Sequence, residues 1–192
     1  GQIIGFGARA LGEVKPKYLN SPESPSFVKK SVLYGWSRAR KAARRGLPVM
    51  VVEGYMDVIA VSSSGVAAAV APLGTALGED QFRLLWKLSN DPVLCFDGDK
   101  AGQIAAQRAI ERVLPLLEPG RSVRLAVLPE GQDPDDILRQ KGPEGLRRIL
   151  TAASGLLDSL WVSKAADYHL DNPRTQAGAK AAFWQDMRGL VR

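Results

Sequence analysis

Cysteine is almost absent: Cys95 stands alone in the 192 residues, so no disulfide can form within the chain and no set of thiolates can hold zinc. A reducing, cytosolic setting is the expectation that follows. Histidine is as scarce. His169 is the single one and lies far along the chain from the acidic motifs described below, so no Ser-His-Asp or Cys-His catalytic group can be assembled around them. No run approaches the about 20 apolar residues that cross a bilayer, and no membrane association is expected. The opening Gly1-Gln2-Ile3-Ile4-Gly5 has neither a methionine nor a signal-peptide pattern, which leads to the expectation of a piece excised from a longer protein. Gly5 and Gly7 fit neither the dinucleotide fingerprint nor a Walker sequence. Internal repeats and low-complexity tracts are missing too.

What is present is basic. A formal net charge of +6 and a pI near 9.6 favour polyanions through counterion release, which makes nucleic acid a reasonable partner. Apolar residues at 45% and charged residues at 24% give a globular chain with one good core and a smaller appendage. Residues 15–26 hold three prolines among small polar residues and read as a loop. A helix is expected over about 30–45, ending in Arg38-Ala-Arg-Lys-Ala-Ala-Arg-Arg45. That cluster reads either as a solvated last turn favoured by the helix dipole or as a phosphate-facing patch.

Regular punctuation starts at Leu47. Strands are expected over 49–53, 67–73, 93–97 and 122–128, with helices over 55–64, 79–89 and 101–117 between them. Strand and helix alternating through short connections imply right-handed crossovers and a parallel sheet covered on both faces. After Pro129 the strands stop. A helix opens at Asp133-Pro134, and helical patterns follow around 143–153, 155–169 and 175–192. The fold class is therefore α/β: a parallel four-stranded sheet with helices on both faces (47–129), preceded by a small basic irregular segment (1–46) and followed by a helical subdomain (130–192).

Two of these strands end abruptly on acids, Glu53 after Val49-Met-Val-Val and Asp97 after Val93-Leu-Cys-Phe. If the first and third strands lie side by side, their ends stand roughly 5 Å apart, and Glu53, Asp97 and Asp99 meet in one crevice. Carboxylates that close raise one another's pKa unless a cation joins them, and a hard ion such as Mg2+ suits oxygen donors. Taken alone, Glu53 is a commonplace strand-end charge, and Asp97-Gly98-Asp99 serves equally as a helix-capping turn. Asp133-x-Asp135-Asp136 has the same two readings: a helix N-cap with acids in its first turn, or the ligands of a second ion for in-line nucleotidyl transfer.

The words Glu53-Gly-Tyr-Met-Asp57, Phe96-Asp-Gly-Asp-x-Ala-Gly102 and Asp133-Pro-Asp-Asp136 resemble the catalytic core of DnaG-type bacterial primases. Residues 47 to about 129 resemble the TOPRIM domain that these share with topoisomerases and certain nucleases. The likeness extends upstream to Ile4-Gly-Phe-Gly-Ala-Arg9 and Pro16-Lys-Tyr-Leu-Asn-Ser-Pro-Glu23, which are similar to the primase-specific segment before that domain. The resemblance implies a DNA-directed RNA polymerase, a nucleotidyltransferase that makes short RNA primers on single-stranded DNA from ribonucleoside triphosphates during replication. It implies Mg2+ or Mn2+ as cofactor, with Glu53, Asp97 and Asp99 as principal catalytic metal ligands and Asp57, Asp133 and Asp135 as further members of the set. Arg9, Lys17, Tyr18, Asn20 and Lys29 fall where the family has a basic ridge that handles nucleotide and nucleic acid.

The family also carries an N-terminal zinc module and a C-terminal domain that binds the replicative helicase. Neither is found in these 192 residues, so this truncated core is expected to have little activity alone. A bacterial, cytoplasmic, nucleoid-associated setting in the primosome is implied. Two other readings stay open: a TOPRIM nuclease or topoisomerase-like strand-cleavage module, for which Tyr18, Tyr34 and Tyr55 are poor nucleophiles by context, and a non-catalytic α/β module whose acids organise a surface.

Overall fold

A computed structural model describes residues 2–10, 15–16, 18–74, 76–167, 181–183, 185 and 189. Its centre is a sheet in which β3 (Val49–Val51), β4 (Ala68–Val70), β5 (Val93–Phe96) and β6 (Arg124–Val127) run parallel in the order β4-β3-β5-β6. The four parallel strands anticipated are all there. Each is shorter than its apolar run, because the runs leave the ladder at Pro72, which lacks an N–H, and at the turns through Gly54 and Gly98. A fifth, two-residue strand, β7 (Ser154–Gly155), adds antiparallel to the β6 edge at Arg124 and Leu125. It was not anticipated, since two residues carry no periodicity.

Every residue of β3, β4 and β5 is buried, as parallel strands covered on both faces must be. Their side chains divide by alternation. Val49, Val51, Val70, Leu94 and Phe96 pack with Phe82 and Leu85 of α3 (Glu79–Leu85), with α4 (Lys100–Val113) and with Leu156 and Leu160 of α6 (Leu156–Asp167). Met50, Val52, Ala69, Val93 and Cys95 face the other way, onto Val58 and Val61 of α2 (Tyr55–Ser64) and Ile137, Leu146 and Leu150 of α5 (Pro134–Ala152). Helix α5 is two helices joined at Gly142, which sits at φ +64 ahead of Pro143. Phe183 is buried and meets Trp161 edge-on at 5.0 Å. His169 lies outside the described residues, as does most of the helix expected over 175–192. Among the described residues no helix is long and apolar enough to cross a membrane.

The N-terminal segment is less irregular than its composition suggests. β1 (Gly7–Arg9) and β2 (Tyr18–Asn20) form an antiparallel hairpin, so part of the expected loop 15–26 is strand. The helix expected over 30–45 begins only at α1 (Trp36–Ala43). Gly35, at φ +80, interrupts it, and a side chain there would press on Val58 and on the Ala69 carbonyl. Tyr34 and Ala71 exchange backbone hydrogen bonds of 2.8 and 3.2 Å, which ties this segment to the end of β4.

A second tie is buried. Gln81 on α3 is fully enclosed; its amide donates to the carbonyls of Lys29 (3.1 Å) and Val32 (3.0 Å), and its oxygen accepts from Gly78 N–H (3.0 Å). Gln81→Leu keeps the apolar stem but strands these backbone groups. The expected cost is about 3 kcal/mol in urea denaturation, and an unchanged midpoint would show that Gln81 does not hold the segment down.

Candidate functional site

The register of β3 on β5, Met50 beside Val93 and Val51 beside Leu94, carries Glu53 and Asp97 to the same rim of the sheet. There the Glu53 carboxylate accepts a hydrogen bond from the Asp97 backbone N–H at 3.2 Å. α2 and α5 start at this rim, with their N-termini bearing the remaining acids. Asp57, in the first turn of α2, accepts from Gly54 N–H at 3.1 Å. Asp133 caps α5 by accepting from Asp136 N–H at 2.7 Å. Glu53, Asp57, Asp97, Asp133 and Asp135 line one cavity of about 390 Å3, together with Arg9, Tyr18 and Arg139.

Two glycines let the backbone gather so tightly. Gly98 is buried, and a Cβ on it would collide with the carbonyls of Leu128 and Pro129 at the end of β6. The glycine between the two aspartates is thus required by the close approach of a neighbouring chain rather than by a left-handed turn. Gly102 has the same constraint, since its Cβ would meet the carbonyl of Asp97.

The electrostatics record the crowding. Partial burial, followed by the charges of Glu53, Asp57, Asp133 and Asp99, pushes the Asp97 carboxyl up to about 7. Burial and then the charge of Asp133 raise Asp57 to about 6, with the Gly54 N–H pulling the other way. Burial, and next the Asp97 charge, push the Cys95 thiol up, so it stays protonated and unreactive. Burial, then Tyr34 and Tyr18, raise the Tyr55 hydroxyl, which bonds Asn20.

The acids expected at the site do not all stand alike. Asp99 caps α4, accepting from Gly102 N–H at 2.7 Å; it is exposed and does not line the acidic cavity. The helix-capping reading therefore describes one of its oxygens. Of the basic ridge, Arg9 and Tyr18 reach the cavity. Asn20 instead braces Tyr55 and donates to the Leu73 carbonyl at 3.4 Å. Lys29 offers its backbone to Glu23 and Gln81 and is not on the cavity wall. Lys17 lies outside the described residues. Arg139 was missed by sequence reading: it pairs with Asp135 at 2.6 Å and Asp136 at 3.4 Å, and its position four residues after Asp135 on a helix was the available signal.

Among the described residues no three acidic, histidine or cysteine side chains form a preassembled metal site. The donor chemistry still fits one. All donors are carboxylate oxygens, as Mg2+ or Mn2+ prefers, and burial with the neighbouring carboxylates pushes up two of the carboxyls, Asp57 and Asp97. A divalent cation held among them would relieve the same repulsion.

The Toprim domain family matches residues 48–126, and the N-terminal domain of the DNA primase catalytic core matches residues 1–40. The DNA primase of Pseudomonas aeruginosa is 52% identical over 151 residues, which cover 79% of this chain and 23% of the relative. A crystal structure of a DNA primase domain from Pseudomonas aeruginosa superposes with a TM-score of 0.89 at 44% identity, covering 98% of this chain and 58% of that one. A DnaG primase catalytic domain bound to single-stranded DNA gives a TM-score of 0.83 at 40% identity, covering 95% and 59%. The chain spans about a quarter to a third of the length of the curated relatives it matches.

Asp97 has a folded-state pKa above its unfolded one, so its contribution to stability is full below the unfolded value near pH 4. It is lost as the pH rises to about 7. In metal-free solution Asp97→Asn is expected to raise the melting temperature at pH 8 and to leave it unchanged at pH 4. Adding Mg2+ at pH 8 then stabilises the wild type more than the variant. A variant that melts lower than the wild type at pH 8 would contradict the electrostatic account.

Proposed function

This chain belongs to the DNA primase family, in the part of the catalytic core that carries the Toprim domain, and we propose from that premise that it works in template-directed RNA primer synthesis. The substrates are ribonucleoside triphosphates, the template is single-stranded DNA and the product is a short RNA primer, joined by nucleotidyl transfer. The observation that carries this reading is the gathering of Glu53, Asp57, Asp97, Asp133 and Asp135 on one cavity with Arg9 and Tyr18 opposite them. Glu53 and Asp97, with Asp99 just beyond Asp97 in sequence, would hold a divalent ion central to the reaction. Asp57, Asp133 and Asp135 supply a second group of donors.

A bound Mg2+ or Mn2+ would neutralise charge on the phosphates, including the departing pyrophosphate, and would favour deprotonation of the 3′-hydroxyl that bonds the α-phosphorus. The chain's own part is positioning and screening. Arg9 offers a fixed positive charge to the triphosphate, and Tyr18, held edge-on to Tyr55 at 5.5 Å, closes the cavity beside Gly54. The family resemblance assigns Lys17, Asn20 and Lys29 to the same ridge, which Asn20 would serve by bracing Tyr55. Residues 1–46, 47–129 and 130–192 act as ridge, Toprim body and helical support. The replicative helicase engages through a C-terminal domain and zinc through an N-terminal module, both beyond this stretch. Alone, this stretch synthesises little.

Strand cleavage by the same acids is the second reading, favoured by the carboxylate cluster itself. One incubation separates the two. With labelled single-stranded DNA, Mn2+ and a fluorescent ribonucleoside triphosphate, the chain is expected to bind the nucleotide in a metal-dependent way and to leave the DNA uncut. Asp97→Ala should weaken that nucleotide binding at least about tenfold, a loss of roughly 1.4 kcal/mol. Cleaved DNA, or nucleotide binding indifferent to metal and to Asp97, would overturn the polymerase reading.

A further inference from the structure

The sheet has a second charged rim. α1 runs into the start of β3, and Lys87 follows α3 just ahead of β5, so both lie at the amino ends of the strands, away from the acids at the carboxyl ends. Five cations, Arg38, Arg40, Lys41, Arg44 and Arg45, crowd α1 and its end. The sequence has no Asp or Glu between Glu23 and Glu53 to balance them. Six arginines elsewhere, Arg83, Arg121, Arg124, Arg139, Arg147 and Arg148, take carboxylate partners, while Arg9, Arg108 and Arg112 take none among the described residues and gather in no such cluster. Among the described residues no cation of α1 makes an ion pair, nor does Lys87.

The helix dipole favours cations in a last turn. It does not remove the repulsion between Arg40 and Arg44, which caps the helix in a helical conformation four residues on. Nor does it account for Lys87, which comes from another element. Arg40, Arg44 and Lys87 converge with Trp36 on a recess of about 410 Å3, floored by Ala43 and Leu88. Trp36 is only half-buried and all three cations are exposed. Cations that track phosphates beside an aromatic face that accepts any base are the recognition chemistry of single-stranded nucleic acid.

We propose that Trp36, Arg40, Arg44 and Lys87 form a second binding site for single-stranded nucleic acid, at the rim of the sheet opposite the acids, where a strand is held by its phosphates and by stacking of a base on Trp36. Along β3 the sheet itself is only about 16 Å deep from Pro48 to Glu53. The choice of nucleic acid rests on the polymerase reading; the cationic recess does not.

Anisotropy of a labelled oligo-dT long enough to span both rims, titrated in EDTA at several salt concentrations, tests the inference. Arg40→Gln/Arg44→Gln/Lys87→Gln is expected to weaken binding about tenfold or more and to flatten the log–log salt dependence by about 2, since each phosphate contact on a single strand contributes about 0.7. A control that removes the same charge from paired positions, Arg83→Gln/Arg147→Gln/Arg148→Gln, should change affinity less than twofold, and melting curves check that both variants fold. Trp36→Leu should weaken binding without altering the slope. Equal losses in the patch and control variants, or no loss in the patch variant, would overturn the inference. So would loss of polyglutamate binding with oligo-dT binding intact, which marks a protein-docking surface. If the patch variant binds oligo-dT normally while metal-dependent nucleotide binding persists, the second site alone falls. If the wild type fails to bind oligo-dT, the polymerase reading falls with it.

Discussion

The parallel pairing of β3 with β5 is the constraint on which the site depends. It sets Val51 beside Leu94, and two residues further on it brings Glu53 within hydrogen-bonding distance of the Asp97 backbone. A slip of one residue would send every side chain of β3 to the other face of the sheet. Met50 and Val52 would then lose the core they share with Val58 and Ile137, and Val49 and Val51 the core they share with Phe82 and Leu94. Both cores therefore enforce one register, and that register delivers the acids. The repulsion among the carboxylates is borne by the burial of the strands behind them.

The N-terminal segment is fastened to this body by a few specific contacts rather than by a core of its own. Tyr34 pairs with Ala71, Gln81 reaches Lys29 and Val32, and Tyr55 meets Tyr18 edge-on and Tyr34 at a tilt while bonding Asn20. These contacts bring Arg9 and Tyr18 to face the acids. Hairpin and acidic rim line one cavity, with Arg9 and Tyr18 contributed by the hairpin and the carboxylates by the sheet and helix ends.

Much of this was legible in the sequence. Continuous apolar runs ending at Glu53 and Asp97 announced buried parallel strands, and the alternation with helices announced their topology. Other features were not legible, each for a physical reason. β7 is too short to have a period. The break at Gly35 depends on contacts with Val58 and Ala69 across the fold, which no local propensity records. The need for glycine at position 98 comes from the end of β6, about thirty residues away in sequence. Asp99 and Asp133 have two tasks at once, capping a helix and adding negative charge at the rim, and composition cannot divide them. Asn20 shares a segment with Arg9 and Tyr18, but its side-chain amide is engaged by Tyr55 and the Leu73 carbonyl, while the backbone of Lys29 is fixed by Glu23 and Gln81 away from the cavity wall.

The central claim is that acids distant along the chain cage a divalent ion at one rim of the sheet. Anomalous diffraction from crystals soaked in Mn2+ tests it most directly. The account predicts a manganese peak in contact with carboxylate oxygens of both Glu53 and Asp97. A peak confined to other residues, or none at a manganese concentration that supports nucleotide binding, would contradict it.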